Sequence, residues 1–356
     1  MHRRAMGHMG TGCVGLAVAM LSASICCDAT NAADKLQWKS FTITFQAEHG
    51  EKPDSKGGER KLSLRIPADM KQGEALRGFM PQLKGLDEFA HRNRIATCKG
   101  LMGPYGGPNQ AMRDAAAKAT GHAELKHAGA ILQGLSYAGR VRAHYAAYNP
   151  DQTLAVILDH SWAPSSMSIK PGKYSYGNLP ASQGVPLFFN ASRNDSFQNF
   201  DRRALHYQWC TTAFRRYRQA CTTVIHHERG GHGNVGSREL LAVWLEEVLA
   251  LRLPKSIPTD GSPYMLTPIH PHKVGGLVFA NLAKDADGLT IHTNVAIGPV
   301  SSVRSRAKCN WWIPGGKSAA IYVDWVKRNG GKVVRDMTAK FPKAPKADIK
   351  ARGKRN

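Results

Sequence analysis

The segment Gly134-Leu135-Ser136-Tyr137-Ala138 decides how this chain is read. It follows an apolar run, Gly129-Ala-Ile-Leu-Gln-Gly-Leu135, and precedes a helix-like run, Arg140-Val-Arg-Ala-His-Tyr-Ala-Ala-Tyr148. A small-x-Ser-x-small pattern between a strand and a helix is the signature of a nucleophile elbow. The turn is sharp and strained, so the residues two before and two after the serine have to be small. Here they are Gly134 and Ala138, with Gly139 following at once. Such a turn lifts the Ser136 hydroxyl clear of the sheet and brings the Tyr137 N–H to the same spot.

Working outward, short β-like runs alternate with helical stretches. Phe41–Phe45 and Lys61–Ile66 alternate apolar and polar residues, as half-buried antiparallel strands do. Leu76–Met80, Ile95–Cys98, Ala130–Leu135, Leu154–Leu158, Val185–Phe189 and Thr222–Ile225 read as buried strands. Between them lie helix-like segments at 85–93 and 111–119 and the run after Ser136, and 237–251 is strongly amphipathic. This order predicts an α/β protein with a mostly parallel central sheet and helices on both faces. Ligands of such sheets sit outside the carboxyl ends of the strands. Ser136, Asp159, Asp195 and His232 all fall just past strand ends.

A serine hydroxyl needs a base to take its proton, and the imidazole needs a carboxylate to hold its tautomer. On an elbow scaffold the acid and then the histidine follow in chain order. Asp195 follows the strand Val185–Phe189, and His232 sits in the glycine-flanked loop Arg229-Gly-Gly-His-Gly233 after Thr222–Ile225. Asp159 is the alternative acid, and His226 and His227 compete with His232. Tyr137 N–H is the expected oxyanion donor, and a second from Gln82 or Leu83 after Met80 is what the resemblance described below implies. Tyr105, His160 and Trp162 are candidates to line the substrate site. His227-Glu-Arg-Gly-Gly-His232 has one residue too many for a helical zinc motif, so no metal and no organic cofactor is expected.

On these residues the chain resembles the α/β-hydrolase superfamily over about 38–254, and within it exported bacterial esterases of the polyhydroxyalkanoate-depolymerase and feruloyl-esterase type. The resemblance implies a Ser136–His232–Asp195 triad, an acyl-enzyme, and an ester substrate: short-chain acyl, hydroxyalkanoate polyester, or feruloyl or acetyl polysaccharide. A serine peptidase on the same fold and a non-catalytic polymer-binding relative are the alternatives. The chain departs from the pattern at Ala138, where Gly is usual, and after Met80, where Pro81-Gln-Leu-Lys84 replaces a His-Gly-Gly oxyanion loop. Asn310-Trp-Trp-Ile-Pro-Gly-Gly316 and the segments after it resemble a C-terminal extension of some exported members.

Composition bounds the rest. The 356 residues suffice for one large core with an appendage. His2-Arg-Arg4, the apolar stretch 14–25 and Thr30-Asn-Ala-Ala33 read as a signal peptide spanning 1–33, which predicts a secreted or periplasmic protein without a transmembrane anchor. The expected organisation is a catalytic domain over 34–254, an extension over 255–340 and a basic tail over 341–356. Export would leave Cys98, Cys210, Cys221 and Cys309, with Cys210–Cys221 the favoured disulfide and Cys98–Cys309 the remaining pair. The net charge of +23 favours anionic partners such as acidic polysaccharide. No helix-turn-helix, zinc-finger or aromatic RNA-binding pattern supports a specific nucleic-acid function.

Overall fold

A computed structural model describes residues 36–49, 56–99, 107–161, 184–192, 196–197, 200–201, 221–227, 238–284, 290–303 and 309–342. The chain from Leu36 onward forms one compact unit. Its elements begin with the hairpin β1 (Trp38–His49) and β2 (Lys56–Pro67). β3 (Gly78–Pro81), α1 (Asp87–Arg92), β4 (Ile95–Lys99) and α2 (Gln110–Thr120) follow. Then come β5 (Ala130–Leu135), α3 (Tyr137–Tyr148), β6 (Thr153–Asp159), β7 (Leu187–Ser192), β8 (Thr222–His227) and α4 (Arg238–Arg252).

The main sheet runs β1-β2-β4-β3-β5-β6-β7-β8. β2 is antiparallel to both its neighbours, and every pair from β4 to β8 is parallel. Eight strands in this order, with β2 alone reversed, make the α/β-hydrolase fold. The apolar runs become its centre, most completely at β6, where all seven residues are buried. α3 packs on β5 and β6, and α4 brings Leu240, Leu241, Trp244, Leu245, Val248 and Leu249 into the core. No helix among the described residues is long and apolar enough to cross a membrane.

Residues 255–340 hold a second sheet. β9 (Gly276–Lys284) and β10 (Thr290–Pro299) pair antiparallel, with β11 (Trp311–Ile313) beside β9 and β12 (Val333–Asp336) beside β10. Helix α5 (Gly316–Arg328) packs against α4 and β10. Three polar joints tie this part to the main sheet. Thr223 Oγ1 of β8 donates to Trp312 O at 2.6 Å and accepts from Trp244 Nε1 at 2.9 Å. Glu247 of α4 accepts from the Lys317 and Ser318 N–H groups at 3.0 and 3.2 Å, a carboxylate on the N-terminus of α5. A Cβ on Gly315 would lie 2.3 Å from Glu247 Oε1, so the glycine is what lets the helix end reach that carboxylate. Finally, the buried Arg252 guanidinium donates to the carbonyls of Pro150, Thr153, Gly184 and Thr267, at 2.7, 2.6, 3.0 and 3.0 Å.

Among the described residues Cys98 and Cys309 are not joined in the expected disulfide, and the favoured Cys210–Cys221 pair falls outside the description because Cys210 does. Cys98, Cys221 and Cys309 are each buried in packed core, where burial pushes the Cys98 and Cys221 thiols well above their ordinary pKa. Cys221 donates to Ile269 O at 3.4 Å.

His292, on β10, sits buried among Trp311, Tyr322 and Trp325, with Nδ1 3.0 Å from the Tyr322 hydroxyl. Burial lowers its pKa from 6.5 to about 3. The folded state then binds fewer protons than the unfolded state between those values, so stability falls as pH drops from 6.5 toward 3. Urea unfolding followed by tryptophan fluorescence should show a loss of up to about 1.4 kcal/mol per pH unit in that window. His292→Phe should flatten that slope.

Candidate active site

At the junction of β5 and α3, Ser136 adopts φ 53° and ψ −122°. A non-glycine residue in this region is strained by about 1–3 kcal/mol and is held only by its surroundings. Three contacts hold it. The Ser136 N–H donates to Asp159 O at 2.9 Å, and the Gly139 N–H donates back to Ser136 O at 3.2 Å. The first turn of α3 is also pressed onto the end of β5. A Cβ on Gly134 would lie 2.3 Å from Gly139 N, and one on Gly139 would lie 2.4 Å from Ser161 Oγ. Ser136 stands at the N-cap of α3 but its hydroxyl does not cap the helix, which leaves that oxygen for other chemistry. Beside it Leu135 is 38% exposed, a large apolar side chain at the open end of the strand.

This geometry corrects the steric reading of the motif. The small residues are required at Gly134 and Gly139, while Ala138 points to solvent. Ala138 in place of the usual glycine therefore costs the turn nothing.

Asp159 ends β6, next to Leu135 of β5 on one side and Asn190 of β7 on the other. It is fully buried, with one carboxylate oxygen accepting from Gln133 Nε2 and the other from Asn190 Nδ2 at 2.9 Å. Burial pushes its pKa up, against the hydrogen bonds of Gln133 and Asn190 and the charges of Arg238 and His160. Its carboxylate is thus engaged beneath the strand ends, and its backbone carbonyl serves Ser136. Sequence reading missed Gln133 and Asn190. Their signal was present: each is a lone amide inside an otherwise apolar strand, and a buried polar side chain needs a partner.

The remaining candidates divide. His160 is fully buried with φ 47°, and its N–H donates to Asn190 O at 2.7 Å. It is packed under the site and does not form the open substrate wall expected of it. Gln82 is also corrected: its N–H extends the β3–β4 ladder by donating to Cys98 O at 2.8 Å, so it is not the second oxyanion donor. Leu83 follows it in the turn closed by Leu86 N–H to Leu83 O, 3.0 Å. Tyr137 opens α3, which puts its N–H at the positive end of the helix. Tyr105, Trp162, Asp195 and His232 lie outside the described residues, as do Cys210 and the basic tail from 343. Among the described residues no group of three His, Cys, Asp or Glu side chains could hold a metal.

No protein-family model matches the sequence, and no curated protein does. Solved structures do resemble it. The fluorophosphonate-binding serine hydrolase FphF of Staphylococcus aureus is 11% identical, matching 59% of this chain and 98% of its own, at a TM-score of 0.33. A ferulic acid esterase is 14% identical over 60% of this chain and 97% of its own, at 0.34. Oligopeptidase B from Trypanosoma brucei is 13% identical over 61% of this chain and 38% of its own, at 0.38. At such identities none of them assigns a role to a residue of this chain.

The steric pinch yields a paired test. Gly139→Ala should displace α3 and lower the melting temperature by several degrees, as expected for a backbone clash in a packed core. Ala138→Gly should leave the melting temperature within about 2 °C, the ordinary range of an exposed change. Differential scanning calorimetry of both variants measures this.

Proposed function

We propose that this protein is an exported serine hydrolase that cleaves carboxylic esters through an acyl-enzyme. The observation that carries the reading is the Ser136 backbone: a strained serine between a parallel strand and the N-terminus of a helix, with its hydroxyl unused by the cap. In the proposed reaction Ser136 Oγ attacks the ester carbonyl while His232 takes its proton. Asp195 orients His232. The N–H groups of Tyr137 and Leu83 hold the oxyanion, His232 returns the proton to the leaving alcohol, and water then releases the acid.

The register supports this assignment by reach. Leu135, Asp159, Asn190 and Ile225 form one row across the ends of β5 to β8. At about 4.8 Å per strand, β7 is roughly 10 Å and β8 roughly 14 Å from the elbow. Asp195 lies three residues beyond β7 and His232 five beyond β8. Extended chain spans up to about 3.5 Å per residue, so both loops are long enough to return to Ser136. The substrates proposed are short-chain acyl esters, hydroxyalkanoate polyesters and feruloyl or acetyl esters of polysaccharides.

A fluorophosphonate probe should label the wild-type protein and fail to label Ser136→Ala. Retained labelling would remove Ser136 from the mechanism. A panel of p-nitrophenyl and feruloyl esters beside peptides tests the bond cleaved, and hydrolysis of peptides alone would overturn the ester assignment. For the acid, Asp195→Asn should lower kcat by about three orders of magnitude or more. Asp159→Asn should keep the greater part of kcat, and the reverse ranking would transfer the role to Asp159.

A further inference from the structure

A groove of about 490 Å³ opens at the carboxyl ends of β3 and β4, lined by Pro81, Gln82, Lys84, Asp87, Cys98 and Lys99. It lies on the same edge of the sheet as Ser136. β3 is the immediate neighbour of β5 and β4 the next, so its floor is roughly 5–10 Å to the side of β5, with Pro81 and Cys98 level with Leu132. Its charges are unequal. Asp87 is already matched, 2.7 Å from Arg65 Nη2. Arg65 is held further by Thr97 Oγ1 at 3.2 Å and by stacking 4.7 Å over the Trp38 ring. Lys84 and Lys99 have exposed side chains and no carboxylate among the described residues within ion-pair distance, so the groove carries two positive charges that its own acid does not cancel.

We infer that this groove is a subsite for a carboxylate on the substrate: Lys84, which follows the proposed oxyanion donor Leu83, and Lys99 receive an anionic group on the β3–β4 side of the ester that Ser136 attacks. The inference rests on the serine-hydrolase reading for its catalytic consequence but not for its binding. A carboxylate held there belongs to an ester whose acyl or alcohol part ends in a free acid, such as a dicarboxylic half-ester or an acidic sugar. Two partly solvated lysines discriminate by charge and not by shape, because each ammonium is a point charge on a flexible stem. The preference should therefore weaken as salt screens it.

The test compares p-nitrophenyl hemiglutarate with p-nitrophenyl valerate, which is close in length and lacks the charge. The expected result is a kcat/KM preference for the hemiglutarate that falls about tenfold in Lys84→Gln/Lys99→Gln. The valerate rate should hold within about twofold, since neither lysine meets the reacting atoms. Equal preference in wild type and double variant would overturn the subsite. Calorimetric titration of glutarate reads the groove without turnover. Binding that the double variant loses supports the proposal, whereas no binding, or equal binding in both proteins, overturns it. If neither ester is hydrolysed and fluorophosphonate does not label Ser136, the hydrolase reading fails on its own, and the glutarate titration still decides the groove.

Discussion

Everything at the proposed site depends on one close approach, that of the first turn of α3 to the last residues of β5. Gly134 and Gly139 have no side chains to hold these two elements apart. The approach forces Ser136 into a positive φ, at a cost of about 1–3 kcal/mol. The strain persists because the ends are fixed independently: β5 is zipped to β6, the Ser136 N–H is bonded to Asp159 O, and α3 packs on both strands. Asp159 is central to this support. Its carbonyl anchors the serine, while its carboxylate binds Gln133 and Asn190 and so cross-links the ends of β5, β6 and β7. A buried acid that reads as a catalytic alternative in the sequence is in the fold a brace under Ser136.

The second sheet bears on that brace through α4. Helix α4 begins at Arg238, whose charge acts on Asp159 and whose side chain packs over Gly85 in the turn after β3. The same helix carries Trp244 and Glu247, which engage Thr223 and the N-terminus of α5, and ends at Arg252 among four carbonyls. β11 lies against β8, the edge strand of the main sheet. The C-terminal part therefore stabilises the helix that packs between the elbow side and the strand from which the His232 loop departs.

Most of the main sheet is legible in the sequence because buried parallel strands write themselves as short apolar runs, and each run from Ile95–Cys98 to Thr222–Ile225 became a strand. The second sheet was not legible. Residues 277–297 read as mixed because the β9–β10 hairpin slips register between Phe279 and Asn281, and a slip of one residue exchanges the faces and breaks the alternation. The elbow was legible as a motif, but its steric requirement was displaced by one residue, from Ala138 to Gly139. Only the angle at which α3 leaves the strand decides which position faces β5. The cysteines were legible only as residue types: Cys98, Cys221 and Cys309 are buried core side chains, which neither compartment nor sequence distance foretells.

Charge shows most directly how composition becomes local chemistry. Acidic residues are outnumbered by 26 to 49, and on the β2–β4 side of the molecule arginines take them up. Arg65 pairs with Asp87, Arg92 with Glu88 and Glu246, and Arg94 with Asp69 and Glu74. Arginine wins these contacts because its planar fork meets a carboxylate with several donors at once and is weakly hydrated, while an ammonium keeps its water. Among the described residues no lysine makes such an ion pair. A net charge that reads in the sequence as a diffuse preference for anions is thus sorted by the fold. It is neutralised where arginines brace the sheet edge and α1, and it stays uncancelled at Lys84 and Lys99, at the carboxyl ends of β3 and β4.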